Sequence, residues 1–144
     1  MAESRSETLR VAWHGGGRFD IGIRGHSVRV DEPRDFGGSD TGPTATELFV
    51  GSLAACVAHC AERYLHRCQL PAGVTVTARY VLGLQPAHLS EVALDVEAPG
   101  LPEGLRASFT AAIGHCPVYN TLYRPPEVTF RVLTSGHEAV CHHP

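Results

Sequence analysis

The chain has 144 residues, 43% of them hydrophobic, and a formal net charge of -3, which suits one folded domain with a single core. That charge balance excludes the basic footprint of a nucleic-acid binder. All 12 cationic residues are arginine, so Schiff-base chemistry and phosphate loops that need a lysine are excluded too.

The first ten residues are polar and mixed in charge, unlike a secretory signal. The longest mainly apolar run, Leu48 to Ala58, is too short to cross a bilayer, so no membrane partner is expected. Five cysteines leave one unpaired in any disulfide scheme, and their spacing is not that of a small secreted framework. A reducing, cytoplasmic setting is the expectation, where thiols tend to be catalytic or inert.

In chain order, Leu9 to Trp13 reads as a strand, and Gly15-Gly16-Gly17 as a turn. Phe19 to Arg24 and His26 to Asp31 alternate apolar and polar residues at the period of half-buried strands, with Gly25 between them. Residues 31–43 hold Pro33, Gly37, Gly38, Gly42 and Pro43 and form a loop. A helix then starts, with Thr44 as N-cap and Glu47 as its reciprocal partner in a capping box, and runs to about Arg67. Its first half is apolar on every side, which calls for burial all round, inside the molecule or at a subunit interface.

Two further strands come next. Val74 to Leu84 places Val74, Val76, Ala78, Tyr80, Leu82 and Leu84 on one face, and Ser90 to Glu97 does the same with Val92, Leu94 and Val96. A helix spans about Pro102 to Gly114, and Pro117 suits the first position of another short one. Val128 to Leu133 is a final strand, and residues 136–144 read as a short, polar, frayed tail. The fold class is α+β, a single domain over 1–144 with its core in about 10–133.

Cys56 lies mid-helix among small apolar residues, and two readings stand for it. It is either a small buried hydrophobe or a reactive thiol. A thiol in such a place resists ionisation, so reactivity there needs a positive charge within reach. Cys116, with Pro117 after it, sits at a helix N-cap, where the helix end favours a thiolate and makes a good leaving group. Local electrostatics therefore nominate Cys116 as the more acidic thiol. Cys60 shares the helix face of Cys56, but residues four apart stand about 5–6 Å apart at Cβ, too far for a disulfide in a straight helix. The pair is open to a metal site with His59 or His115. A second Cys/His cluster, His137, Cys141, His142 and His143, falls in the tail, and no spacing typical of a zinc site occurs.

The stretch GPTATELFVGSLAAC, Gly42 to Cys56, with HCPVYNTL, His115 to Leu122, some sixty positions later, resembles the OsmC/Ohr family of osmotically inducible and organic-hydroperoxide-resistance proteins. The strand and helix order over about 10–133 agrees with that resemblance. It implies an OsmC-like fold, with two long central helices packed against antiparallel sheets in an intertwined homodimer. It also implies a thiol-dependent peroxidase acting on a small organic hydroperoxide. Cys56 would be the attacking thiol and Cys116 its resolving partner in a redox-active disulfide that an external thiol or dithiol reduces, with no cofactor. Arg18 matches the arginine that stabilises the thiolate, with Arg24 and Arg34 as substitutes, and Glu47 would orient it. The sequence departs from the organic-hydroperoxide branch at one point. The position ten residues before Cys56 is Thr46, and Glu47 lies one step, about 100°, further round the helix. Two other readings carry over: a non-catalytic OsmC-like stress or ligand-binding protein, and a Cys/His metal-binding protein.

Overall fold

Glycines at positive φ punctuate the first sheet. Strands β1 (Arg10–Trp13), β2 (Phe19–Ile23) and β3 (His26–Val30) form an antiparallel meander in a computed structural model that describes residues 5–134 and the backbone of 138–141. Trp13 pairs with Phe19 across a turn in which Gly15 and Gly16 take φ of 95° and 59°. Arg24 and Gly25, both at positive φ, make the two-residue β2–β3 turn, whose twist matches that of the strands. The Trp13 indole N–H donates to Gly16 O at 2.9 Å and ties down the first turn.

Asp31 organises the loop after β3. It has 0% exposure, yet its carboxylate is fully engaged. Oδ2 accepts the Thr41 hydroxyl at 2.7 Å and the Thr41 N–H at 3.0 Å; Oδ1 accepts the Glu32 N–H at 2.9 Å, and Ser39 N–H lies within 3.3 Å of both oxygens. A loop closed so tightly leaves no room for a side chain at Gly38, where a Cβ would stand 1.8 Å from Glu32 O. A Cβ at Gly17 would lie 3.2 Å from Asp31 Oδ1, so the turn that carries Arg18 rests on the same carboxylate. A 3-10 turn at Arg34–Phe36 holds Arg34 within this loop.

The loop delivers the chain into helix α1 (Ala45–Arg67), 23 residues long. The expected capping box forms: Thr44 N–H donates to Glu47 Oε2 at 2.8 Å, and Glu47 N–H donates to Thr44 Oγ1 at 3.1 Å. The expectation of burial all round is corrected for the single chain. Val50, Leu53, Val57, Ala61, Tyr64 and Leu65 are buried, a stripe at helical spacing, while Phe49, Gly51, Ser52 and Ala55 are exposed. None of the described residues covers that second face.

Strands β4 (Thr75–Leu84) and β5 (Ala87–Glu97) form a long antiparallel hairpin. Strand β5 begins earlier than its alternation suggests, because Ala87 pairs with Leu84 right across the turn. The alternating face holds through Ala78 and then breaks. The register shifts between Val81 and Leu82, and Tyr80, Val81, Leu82 and Leu84 are all exposed.

Contacts divide the chain into two units. One gathers the described residues up to Ala55 with Val74–Glu97, and the other gathers Cys56–Gly73 with the described residues from Ala98 on. In the second, a 3-10 turn at Glu103–Leu105 leads into α2 (Arg106–Ile113), and α3 (Pro117–Tyr123) comes after it. Tyr64 of α1 meets Phe109 of α2 edge-on at 5.4 Å between ring centroids, and its hydroxyl bonds to Ser108. Strand β6 (Phe130–Leu133) pairs antiparallel with β7 (Glu138–Cys141). That strand corrects the expectation of a frayed tail from residue 136 on; short as it is, it finds a neighbour for its ladder of hydrogen bonds. No helix among the described residues is long and apolar enough to cross a membrane.

Asp31 yields a pH prediction. Its bond to the Thr41 hydroxyl, helped by the backbone N–H groups and opposed by burial, lowers its pKa from 3.8 to about 2. A group depressed in this way stabilises the fold fully above its unfolded value and loses that contribution as pH falls through the folded one. The urea midpoint of the protein is expected to drop between pH ~4 and ~2. In Asp31→Asn it should be lower at neutral pH and flatter across that window; an unchanged profile would contradict the role given to this carboxylate.

Candidate active site

Helix α1 brings a second stripe to the surface beside its core stripe. Cys56, His59, Cys60, Arg63 and Arg67 succeed one another at helical spacing and line one cavity of about 420 Å³. Ala112 at the end of α2, with His115 and Pro117 in the turn before α3, completes its wall. None of these eight residues is acidic. Cys56 is half-buried at the cavity, and Cys116 is completely buried, near enough to Cys56 for the second thiol to act on its pKa. All four cysteines among the described side chains are free thiols.

The turn 113–117 explains how Cys116 reaches this place. His115 N–H bonds Ala112 O at 3.2 Å, Cys116 N–H bonds Ile113 O at 3.4 Å, and the chain then starts α3 with Pro117 at its first position. Cys116 is the N-cap, as its sequence position indicates, and its sulfur accepts the Tyr119 N–H at 3.5 Å. The expected acidity of Cys116 is corrected, however. Burial pushes its thiol up, and the nearby Cys56 adds to this. The Tyr119 N–H acts in the opposite direction and does not prevail. Cys116 therefore keeps its proton beside the more accessible Cys56.

Arg18 and Glu47 belong to the first unit and the two cysteines to the second. The Arg18 guanidinium is engaged with its own turn, donating to His14 O at 3.3 Å and Gly15 O at 3.5 Å. Glu47 is engaged in the capping box. Arg24 occupies the β2–β3 turn and Arg34 the 3-10 turn after Asp31. Among the described residues no three His, Cys, Asp or Glu side chains are placed to hold a metal ion. The Cys/His cluster of the tail lies outside the described residues, apart from the backbone of Cys141.

Arg63 and Arg67 line the same cavity and were not singled out by the sequence analysis. Their signal was the spacing itself, seven and eleven residues after Cys56, which keeps them on the same face.

Residues 37–131 match the model of the OsmC-like protein family, and the chain belongs to that family. A search of curated proteins finds no match. Solved structures show the same fold. A Psychrobacter arcticus protein assigned to the osmotic-stress-induced and detoxification response is 21% identical, with a TM-score of 0.72, covering 84% of this chain and 91% of its own. The organic hydroperoxide resistance protein OsmC of Legionella pneumophila is 22% identical, with a TM-score of 0.64, over 83% of this chain and 91% of its own. An organic hydroperoxide resistance protein of Elizabethkingia anophelis is 21% identical, with a TM-score of 0.63, over 83% and 90%. At these identities the likeness is one of fold.

Two substitutions separate the structural role of Glu47 from a role in chemistry. Glu47→Gln keeps an oxygen for the Thr44 N–H and should leave stability nearly unchanged, whereas Glu47→Ala should cost ~1 kcal/mol in chemical denaturation. A loss of activity in Glu47→Gln at unchanged stability would assign the carboxylate a function beyond the cap.

Proposed function

We propose that this OsmC-like protein is a thiol-dependent peroxidase that reduces small organic hydroperoxides through Cys56 and a Cys56–Cys116 disulfide. The observation that carries the proposal is the pair of neighbouring thiols: Cys56 at a cavity, and Cys116 completely buried yet near enough for Cys56 to act on its pKa. The Cys56 thiolate attacks the outer peroxide oxygen, the O–O bond breaks, and an alcohol leaves while Cys56 becomes a sulfenic acid. The Cys116 thiol then displaces water from it, forming the disulfide. Two equivalents of an external thiol, or one dithiol, return both cysteines to thiols, so no cofactor is required. The names of the Legionella and Elizabethkingia relatives support the choice of an organic hydroperoxide.

In this reading Arg18 exchanges the carbonyls of its own turn for the Cys56 thiolate, offering fixed charge and forked donors, and Glu47 orients it. The protein works as a homodimer in the cytoplasm. The exposed small residues of α1 and the exposed apolar end of the β4–β5 hairpin support a second copy as their cover.

Reduced protein mixed with one equivalent of an alkyl hydroperoxide should lose two hydrogens by intact mass within seconds. Cys116→Ser should instead hold one oxygen on Cys56, Cys56→Ser should stay unmodified, and Cys60→Ser should behave as wild type. A wild type that stays reduced would point to the non-catalytic reading. For the dimer, a Cβ at Gly51 would meet nothing within 4 Å among the described residues, so Gly51→Arg should fold and yet run as a monomer by light scattering. A dimeric Gly51→Arg would remove this face from the interface.

A further inference from the structure

Cys60 is a nucleophile that the proposed peroxidase cycle leaves unused. It lies four residues after Cys56 on α1, is half-buried, and is a free thiol. Both cysteines line one cavity, and both belong to the second unit. Side chains at that spacing share a helix face, with Cβ atoms ~5–6 Å apart. A disulfide needs Cβ atoms within ~4.5 Å, so a helix keeps two such cysteines from joining directly. A bond from a thiolate to a metal ion is ~2.3 Å long, so an ion in line between two sulfurs spans roughly twice that. The separation that forbids a disulfide therefore admits an ion.

The rest of the wall decides which ion. None of the eight lining residues is acidic, so a hard cation that takes oxygen ligands finds no carboxylate there. His59 and His115 line the cavity too. Yet among the described residues no three His, Cys, Asp or Glu side chains are placed to hold one ion. A zinc site takes three or four protein ligands, which this pair does not supply. Two sulfurs alone suit a soft cation such as copper(I), which thiolates select and which is content with two ligands.

We infer that Cys56 and Cys60 form a two-coordinate site for a soft monovalent cation of the copper(I) class. Each thiol gives its proton to solvent, the ion forms two sulfur bonds, and no electron is transferred. Cys116 is completely buried and does not line the cavity, so Cys60 and not Cys116 is the second ligand. The site does not rest on the peroxidase reading, although the two share Cys56. A Cys56 sulfur bound to the ion is withheld from a peroxide, so occupancy and oxidation exclude each other.

The test titrates copper(I) without oxygen, in competition with the chelator bathocuproine disulfonate, and needs no peroxide. The parent is the reduced chain carrying Cys68→Ser/Cys141→Ser, which keeps Cys56, Cys60 and Cys116. It should bind one copper(I) per chain and show a thiolate-to-copper band in the near ultraviolet. Adding Cys60→Ser, Cys60→Ala or Cys56→Ser should each weaken binding at least ~100-fold, since even partners behind a ligand cost ~10–100-fold. Cys60→Met keeps a soft sulfur and should recover part of the affinity, which a purely structural role would not predict. Cys116→Ser should leave binding nearly unchanged. Full affinity in Cys60→Ser, loss of binding in Cys116→Ser, or zinc(II) bound as tightly as copper(I) would overturn the inference. Copper(I) binding in a protein that hydroperoxide does not oxidise would leave the site standing and remove the peroxidase reading. Oxidation by hydroperoxide without copper(I) binding would do the reverse.

Discussion

Cys116 caps the first turn of α3 and is also fully buried, and these two facts act on its proton in opposite directions. A helix N-terminus offers N–H groups and a positive field to a thiolate, but a field of that kind is worth little against the loss of water around the charge. Burial prevails and raises the pKa of Cys116, and the nearby Cys56 adds to this. A resolving cysteine has to remain inert until its partner is oxidised, and a buried, protonated sulfur meets that requirement. In the proposed cycle the same N–H groups would stabilise the sulfur that departs when the disulfide is reduced. One cap thus serves both halves of the proposed cycle.

Helix α1 carries three functions on three faces. Val50, Leu53, Val57, Ala61 and Tyr64 form the core stripe. Cys56, Cys60, Arg63 and Arg67 form the chemical stripe beside it. Gly51, Ser52 and Ala55 form an open stripe of small residues. With successive residues about 100° apart, a helix of 23 residues is long enough to keep all three separate over several turns. The small residues next to Cys56 reflect this crowding. Bulk there would close the cavity or the open face, and the capping box at Thr44 and Glu47 sets the start of the helix, and with it the position of every face.

The first unit is organised by a single carboxylate. Asp31 draws in four donor groups from Glu32, Ser39 and Thr41, and the Gly17 backbone packs against it. A buried charge survives only when it is satisfied, and here the satisfaction comes from the loop it shapes. The turn bearing Arg18 and the loop leading into α1 are therefore fixed by the same residue, which makes the position of Arg18 a consequence of the Asp31 loop.

Sequence alone determined the elements, because each has a local cause. Alternation gave β2 to β5 within a few residues, Thr44 and Glu47 marked the start of α1, and Pro117 marked the start of α3. The motifs around Cys56 and Cys116 pointed to the family that the match over 37–131 then established. Tertiary structure decided what depends on distance and burial. It brought Cys56 and Cys116 near each other, reversed the acidity expected for Cys116, and buried Asp31, which in the sequence is one more polar loop residue. It also found a partner for β6 in β7, whose four residues are too few for alternation to announce them. The faces of α1 were not legible, because its first half reads as apolar on every side. Which stripe becomes core, which lines a cavity and which stays open depends on what packs against the helix, and no local rule encodes that.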